Sequence, residues 1–464
     1  MSPIKRIDSE RVSISFKNGR QALLFANEEV FVDNHSLENA ENFSEIYDSF
    51  NSLGIKEYIG DLIFTPDFHK GTSTPIGTAL ETIEHIIPGI VGNDIGCGMS
   101  CYVLNGLDIE LLKKSNSSLD NNLRHAFFEG GRDIRLSSKD RECILLEGLN
   151  GLSDIDTDSV ITSYKNVISN VMLQTGHNNP TGIHTALVDW LRKDESITRD
   201  AHLGSVGGGN HFVELQSVSE IFDRQATYEL GINQNSIILM VHSGSLSLGR
   251  AVATIYNDKA KLNYPKLLKM PDNGLIPLQC NDIGKLYIEE MSAAANFASV
   301  NRFCMAAMVC NALSNTFNQK LSISQIANLP HNFAWVDNDV VSHRKGSCNI
   351  NSGDIFIVPG SMGTSSFIMK GDQTVQSLNS GPHGAGRAKS RGRARHDSND
   401  TDLRIIGKID LSNQRSDVRK ILSQELATES PSTYKNIDSV ISTIVDANIS
   451  SKVVRTVPIL TIKG

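Results

Sequence analysis

Residues 381–395, GPHGAGRAKSRGRAR, put one histidine, His383, in a glycine frame directly ahead of five alternating cations: Arg387, Lys389, Arg391, Arg393 and Arg395. Small residues let a phosphate approach the backbone, and the cations neutralise charge on a nucleotide or a nucleic-acid strand. The segment is therefore suited to meet phosphate. Taken alone it reads equally as a solvated basic loop with an incidental histidine, because short motifs recur by chance.

Seven further motifs share its design, a strand-like run ending in a polar or histidine-bearing turn with glycine close by. They are TPDFHKG at 65–71, GNDIGCGM at 92–99, GGGNHFVEL at 207–215, MVHSGS at 240–245, LPHN at 329–332, SHRKGS at 342–347 and PGSMGTSS at 359–366. Strand ends and tight turns are where folds gather functional groups. Asp94, Cys97, His211, His242 and His331 within this set offer a carboxylate, a thiolate and imidazoles, which suit manganese, zinc, iron or cobalt better than magnesium or calcium. A single histidine is more often structural, whereas five donor groups in glycine-flanked motifs point to a metal. Asp94 and Cys97, three residues apart, can face one ion; only folding can gather the histidines. His69 and His343, with Lys70, Arg344 and Lys345 beside them, suggest phosphate handling or a structural role. Ser245 and Ser361 do not sit in a nucleophile-elbow pattern and read as contacts to an anion.

The elements that must position these groups form an irregular succession. RVSISF, YIGDLIFT, MSCYVLNG, SIILMVHSG and DIFIVPGS read as strands ending in glycine-rich turns. Helical periodicity covers 105–126, 157–175, 181–192, 284–313 and 413–427. Strands and helices do not alternate, so the fold class expected is α+β. The chain has 464 residues, 39% hydrophobic and 21% charged, which is ordinary for a globular protein. No internal repeat or low-complexity linker divides it, and one interleaved unit over 1–464 is expected. A net charge of −8 argues against general polyanion binding and leaves room for one focused basic site. The seven scattered cysteines fit free thiols, no apolar run approaches a membrane span, and the N-terminus lacks a secretory core; a cytoplasmic location is expected.

In order along the chain, GNDIGCGM, GGGNHF-x-E, HSGS-x-x-LG, VNR at 300–302, HRKG, PGSMGTSS, HGAGR-x-x-SR and the terminal Lys463-Gly464 resemble the RtcB family of RNA ligases over residues 60–464, with residues 1–55 poorly matched. The resemblance implies an RtcB-like fold of mostly antiparallel central sheets surrounded by helices. It implies joining of an RNA 3′-phosphate or 2′,3′-cyclic phosphate end to a 5′-hydroxyl end, using GTP and two manganese ions. His383 would be the nucleophile that forms a covalent histidine-GMP. Asp94, Cys97 and His211 would hold one manganese, and Cys97, His242 and His331 the second. Guanylate contacts carry over to Asn210, His211, Phe212, Val213, Glu214, His331, Asn332, Pro359, Gly360, Ser361, Met362, Ser366, Gly384, Ala385, Gly386, Tyr434 and Lys463. Arg344, Lys345, Arg387 and Arg391 would grip RNA phosphates. The partners implied are RNA ends and GTP, with a release-factor-like protein as a candidate and no membrane.

Three positions depart from the commonest family pattern: Lys70 stands where proline is usual, Leu246 where arginine is usual and Phe367 where tyrosine is frequent. These departures resemble a divergent bacterial branch, for which RNA repair is the expected role. Two other readings stand beside ligation: a manganese-dependent phosphoesterase acting on RNA ends, and an RNA-binding module with structural metal.

Overall fold

The computed structural model describes residues 4–55, 59–114, 117–155, 159–170, 179–191, 196–390, 394, 404–407 and 427–464. Two large sheets dominate them. The first has seven strands in the order Ile4–Arg6, Arg11–Ser15, Gln21–Phe25, Ile59–His69, Ile76–Ile83, Val340–Lys345, Asn332–Asp337. All neighbours are antiparallel except Gln21–Phe25 with Ile59–His69. The poorly matched N-terminal segment thus shares a sheet with the strand that carries the TPDFHKG motif. The side chain of Asn39, in the helix Asn34–Ser44, also ties down the turn after that strand, through Gly71 N at 2.9 Å and Thr72 O at 3.2 Å.

The second sheet has nine strands, in the order Ile355–Val358, Ser366–Gly371, Ser450–Lys463, Phe212–Ile221, Ile237–Ser243, Gly98–Asn105, Ser322–Pro330, Ile168–Asn170, with Arg404–Gly407 also paired to Ser450–Lys463. Pairing is antiparallel apart from the last two strands named, which run parallel to their neighbours. Ile237–Ser243 is buried along its whole length, as a strand covered on both faces must be. The α+β class expected from the sequence is the class observed, with antiparallel sheets and helices around them.

The helix Asp282–Phe317, 36 residues long, runs through the largest core. Alanines at 293, 294, 295, 298, 306 and 307 let neighbouring elements approach closely, and burial on every side explains why its sequence shows little amphipathic contrast. A separate core of Phe25, Ile63, Ala79, Phe356, Val358, Ile437 and Ile441 joins the two sheets to the helix Ile437–Asp446.

Several helices end elsewhere than periodicity suggests. The 105–126 pattern is a strand ending at Asn105 followed by helices Ile109–Lys113 and Ser117–Phe128, the first capped by Asp108. The 157–175 pattern stops at Val167 and continues as the strand Ile168–Asn170. Among the described residues of 181–192 only Val188–Leu191 is helical, because the N–H groups of residues 184–187 are bonded to the buried carboxylate of Glu290 instead of to a preceding turn. The 413–427 pattern lies outside the described residues except for Ala427. No helix among the described residues is long and apolar enough to cross a membrane.

His343, read from sequence as a phosphate or structural residue, is structural. It is fully buried, and its Nε2 accepts the N–H of Ile87 at 3.0 Å. Burial pushes its imidazole down to about 3 from 6.5. The unfolded chain therefore binds more protons between those values: the stability is present in full above pH 6.5 and is lost as pH falls toward 3. One such group costs roughly 2 kcal/mol between pH 7 and pH 5. His343→Gln, which keeps an acceptor and cannot titrate, is expected to shrink the pH 7 to pH 5 difference in urea-unfolding free energy by about that amount. An unchanged difference would remove His343 from the acid sensitivity of the fold.

Candidate active site

Four strands adjacent in the nine-stranded sheet, Phe212–Ile221, Ile237–Ser243, Gly98–Asn105 and Ser322–Pro330, end together. Phe212 pairs with His242, His242 with Met99, and Gly98 with Pro330. This register sets Cys97, His211, His242 and His331, one residue from each strand end or beside it, at a common rim. Cys97 Sγ lies 3.2 Å from His211 Nε2 and 3.3 Å from His242 Nε2, and His242 Nε2 lies 3.4 Å from His331 Nε2. Asp94 Oδ2 is 2.9 Å from His211 Nε2. All five groups that the sequence nominated as metal donors converge, and Cys97, His211 and His242 have ligand atoms close enough to share one ion.

The electrostatics suit a divalent ion. Burial and the neighbouring Asp94 push the Cys97 thiol up, so it ionises only against a cation. Burial holds His242 and His331 well below the ordinary histidine value, which leaves them neutral with lone pairs to donate. Burial opposes the charge of Asp94, yet hydrogen bonds from His211 and Cys97 and the ammonium of Lys345 bring its carboxyl down to about 2. His331 Nδ1 is buried without a hydrogen-bond partner. Thiol, imidazoles and carboxylate together form a borderline-soft donor set that fits a transition ion. Gly244 leaves the space this needs, since a Cβ there would sit 2.2 Å from Asp94 Oδ1.

His383 stands beside the cluster, its ring centroid 4.7 Å from that of His331. Sequence reasoning did not find its partner. Asp67, fully buried at the end of Ile59–His69, accepts from His383 Nδ1 at 2.5 Å and from the His383 backbone N–H at 3.2 Å, while Thr65 Oγ1 donates to its other oxygen at 2.5 Å. TPDFHKG drew attention to its histidine and lysine; the signal for Asp67 was its place in the same motif. With Nδ1–H given to Asp67, the His383 lone pair is on Nε2. Gly386 makes the approach possible: its φ is +73°, and a Cβ would lie 2.3 Å from the Asp67 carbonyl oxygen. His69 is partly buried beside His383, the ring centroids 6.4 Å apart and stacked; desolvation pushes its imidazole down to about 3, and its Nδ1 lies 2.7 Å from the Asp67 carbonyl oxygen, which supports the turn. Lys70 is exposed.

Several of the residues nominated for guanylate are tied together by hydrogen bonds. Lys463 Nζ donates to the His211 carbonyl at 3.0 Å, and Asn332 bridges the Asp94 carbonyl at 3.1 Å and Gly346 N–H at 2.9 Å. Glu214, whose carboxyl burial pushes up, accepts from Thr461 and Gln216. Gln216 continues to Ser366 Oγ at 3.1 Å, which accepts from Gly360 N–H at 3.1 Å. This chain ties Glu214 to the 359–366 turn; Gln216 and Thr461 were not foreseen. Pro359 packs against Gly384, joining that turn to the His383 loop. Asn210 and Phe212 flank His211, with Phe212 edge-on to His242; Val213 is core. Ser361 and Met362 lie in the turn, and Ala385 is buried behind His383. Ser245 is turned inward, its hydroxyl donating to the Ile95 carbonyl at 2.5 Å, so it is not an anion contact.

The cations fall into different places from those expected. Arg344 is buried rather than open to RNA: it donates to Ser380 Oγ at 2.9 Å and the Leu378 carbonyl at 2.7 Å and stacks on Trp335, bracing the turn before His383. The cause is its position on an inner strand, where a hydroxyl, a carbonyl and an aromatic face surround the guanidinium, while its Nη1 is buried without a hydrogen-bond partner. Arg387 is likewise committed, to Glu429 at 3.2 Å and the Thr428 carbonyl at 2.5 Å, with Tyr434 beneath it. Lys345 faces the metal loop, donating to the Val91 carbonyl at 2.8 Å; burial lowers it while Asp94 and Cys97 favour its charge. Arg391, Arg393 and Arg395 lie outside the described residues.

A rim of convergent donor atoms with a carboxylate-oriented imidazole beside it can hold a divalent ion and present a nitrogen nucleophile to an electrophilic centre. The family described as tRNA-splicing ligase RtcB matches residues 51–464, and the chain belongs to the RtcB family. It is similar to the tRNA-splicing ligase RtcB of Methanococcus maripaludis, 28% identical over 94% of each chain. The protein of that name from Thermococcus kodakarensis is 28% identical over 100% of this chain and 99% of its own. The RNA-splicing ligase RtcB of Mycobacterium bovis is 27% identical over 86% and 96% respectively.

Proposed function

We propose that this chain is a GTP-dependent RNA ligase that seals a 3′-phosphate or 2′,3′-cyclic phosphate end to a 5′-hydroxyl end, in the service of RNA repair, and that residues 1–464 act as one unit. Family membership supports RNA ligation. The observation that carries the chemistry is the Asp67–His383 pair beside the metal-donor rim.

The metal ions fitted by these donors, manganese in this reading, would be held by Asp94, Cys97, His211, His242 and His331. When bound they would neutralise phosphate charge and assist departure of pyrophosphate. Asp67 keeps the proton of His383 on Nδ1, so that Nε2 attacks the α-phosphorus of GTP. A P–N bond forms as the bond to pyrophosphate breaks. An oxygen of the RNA 3′-phosphate then attacks the same phosphorus, the P–N bond breaks, and the GMP is carried on the RNA end; a cyclic end is first opened to the 3′-phosphate by water. The 5′-hydroxyl of the second RNA attacks the 3′-phosphate, losing its proton to solvent as GMP leaves. Glu214 and Lys463 would read the guanine, while Lys345 would offer charge to the phosphates.

Incubation with manganese and GTP labelled at the α-phosphate is expected to give an acid-labile protein-GMP adduct that is absent in His383→Ala. No adduct, or an undiminished one in the variant, would exclude this mechanism. The same preparation, offered nicked ribosomal RNA and a tRNA exon pair, compares repair with splicing; equal or better sealing of the exon pair would count against repair.

A further inference from the structure

The segment that contributes Tyr434 also contributes Lys435, to which the ligase reading gives no task. Lys435 is 8% exposed. Its ammonium donates to the carbonyls of Pro66 at 3.1 Å and Phe68 at 2.5 Å, the two that flank Asp67. Its backbone N–H donates to the Gly386 carbonyl at 2.9 Å, three residues beyond His383, and the preceding Tyr434 bridges Arg387. One residue thus grips both halves of the pair: the strand end bearing Asp67 through its side chain, and the loop bearing His383 through its backbone.

A lysine in such a place carries a cost. Burial lowers it to about 8, with Asp67 and Asp33 favouring the charged form. Its bonds end on carbonyls, where a neutral donor would serve as well if shape alone were required; a buried cation adds a field that favours an ionised Asp67.

We propose that Lys435 is a positioning residue for the phosphorus-attacking histidine, fixing the Asp67 carboxylate against His383 Nδ1 and so keeping Nε2 free and aimed at the reacting phosphate. The proposal rests on His383 as guanylate acceptor. Its mode of action is transmission through Asp67, and that separates it from a general contribution to stability. A strand end released by even an ångström misplaces the nucleophile, for which a loss of about 100-fold in rate is typical.

The experiment is a double-mutant cycle on the full chain, with single-turnover adduct formation from labelled GTP and manganese as readout. Lys435→Met is expected to slow the adduct step by about 100-fold with little change in the GTP concentration for half-maximal rate, and Lys435→Arg to recover part of that rate. In an Asp67→Asn background Lys435→Met is expected to cost no more than about threefold further. Full additivity of the two losses, or a native rate in Lys435→Met, overturns the proposal. Should Lys435→Met fail to fold, Lys435→Gln, which keeps a donor without the charge, is read by the same criteria. A second readout is independent of GTP: the imidazole ¹⁵N and ¹H resonances of His383, in protein loaded with diamagnetic zinc, are expected to show the Nδ1–H tautomer in the wild type and a shift toward Nε2–H in Lys435→Met. Absence of any wild-type adduct would discard the ligase reading alone, whereas an unchanged tautomer in the variant discards the role of Lys435.

Discussion

Asp67→Asn is expected to slow formation of the histidine-GMP adduct by about a thousandfold while leaving the fold and the metal affinity in place. The magnitude follows from the comparable change in a serine-protease triad, where exchanging the carboxylate that orients the histidine costs about ten-thousandfold. Asp67 is enclosed, and burial opposes its charge; His383, the Thr65 hydroxyl and nearby His69 outweigh that effect and hold its carboxyl below the usual range. The side chain is therefore an anion at neutral pH, with two donors from His383 on one oxygen. Asparagine matches its shape. Its amide can present an N–H to Nδ1, which moves the imidazole proton to Nε2 and removes the attacking lone pair. Quench-flow measurement of the labelled adduct checks this, and a rate within about tenfold of wild type would show that Asp67 does not set the tautomer.

Arg302→Met is expected to lower transition-metal affinity by about 10- to 100-fold, as loss of groups that orient metal ligands does elsewhere. It is also expected to destabilise the metal-free chain by about 2–4 kcal/mol, because buried acceptors lose their donor. Arg302 lies in the middle of the long helix, fully buried, and burial lowers it to about 10, so it remains charged. Its Nη1 donates to the Gly96 carbonyl and the Ser243 carbonyl, both at 2.9 Å, one residue before Cys97 and one after His242. Nε and Nη2 hold Asn328 Oδ1 at 3.1 and 2.8 Å, on the strand that leads to His331. The adjacent Asn301 adds bonds to the Ser205 and Gly244 carbonyls at 3.1 and 3.3 Å. Three donor-bearing segments thus hang on one guanidinium. Lysine cannot reach all of them, so Arg302→Lys should fall between the two. Calorimetric metal titration and urea unfolding of the metal-free protein read the two effects, and native affinity in Arg302→Met would leave the guanidinium with a packing role only.

Strands rich in β-branched residues and bounded by glycine were legible because alternation and turn chemistry are local properties. Patterns 157–175 and 181–192 misled because distant groups decided them: Ile168–Asn170 pairs with the strand Ser322–Pro330, and Glu290, about a hundred residues from 184–187, takes the N–H groups that a helix start would have used. The donor residues Asp94, Cys97, His211, His242 and His331 were legible as types in glycine-flanked motifs, and only strand order 212–221, 237–243, 98–105, 322–330 brought them to one rim.

The cations show the same division. A basic tract is visible in any sequence, but whether an arginine meets solvent depends on the elements packed over it, and Arg344 and Arg387 were turned to carbonyls, a carboxylate and aromatic faces. Residue chemistry by itself therefore nominated the candidate groups: a thiol, imidazoles and a carboxylate suited to metal, and an imidazole in a glycine frame as the proposed nucleophile. Tertiary structure decided which nitrogen of His383 is free, what holds Asp67, and which cations are structural. Hydrogen-bond partners hundreds of residues apart, as Lys435 and Phe68 are, leave no periodic or compositional trace, since the contact exists only once the sheets have closed on one another.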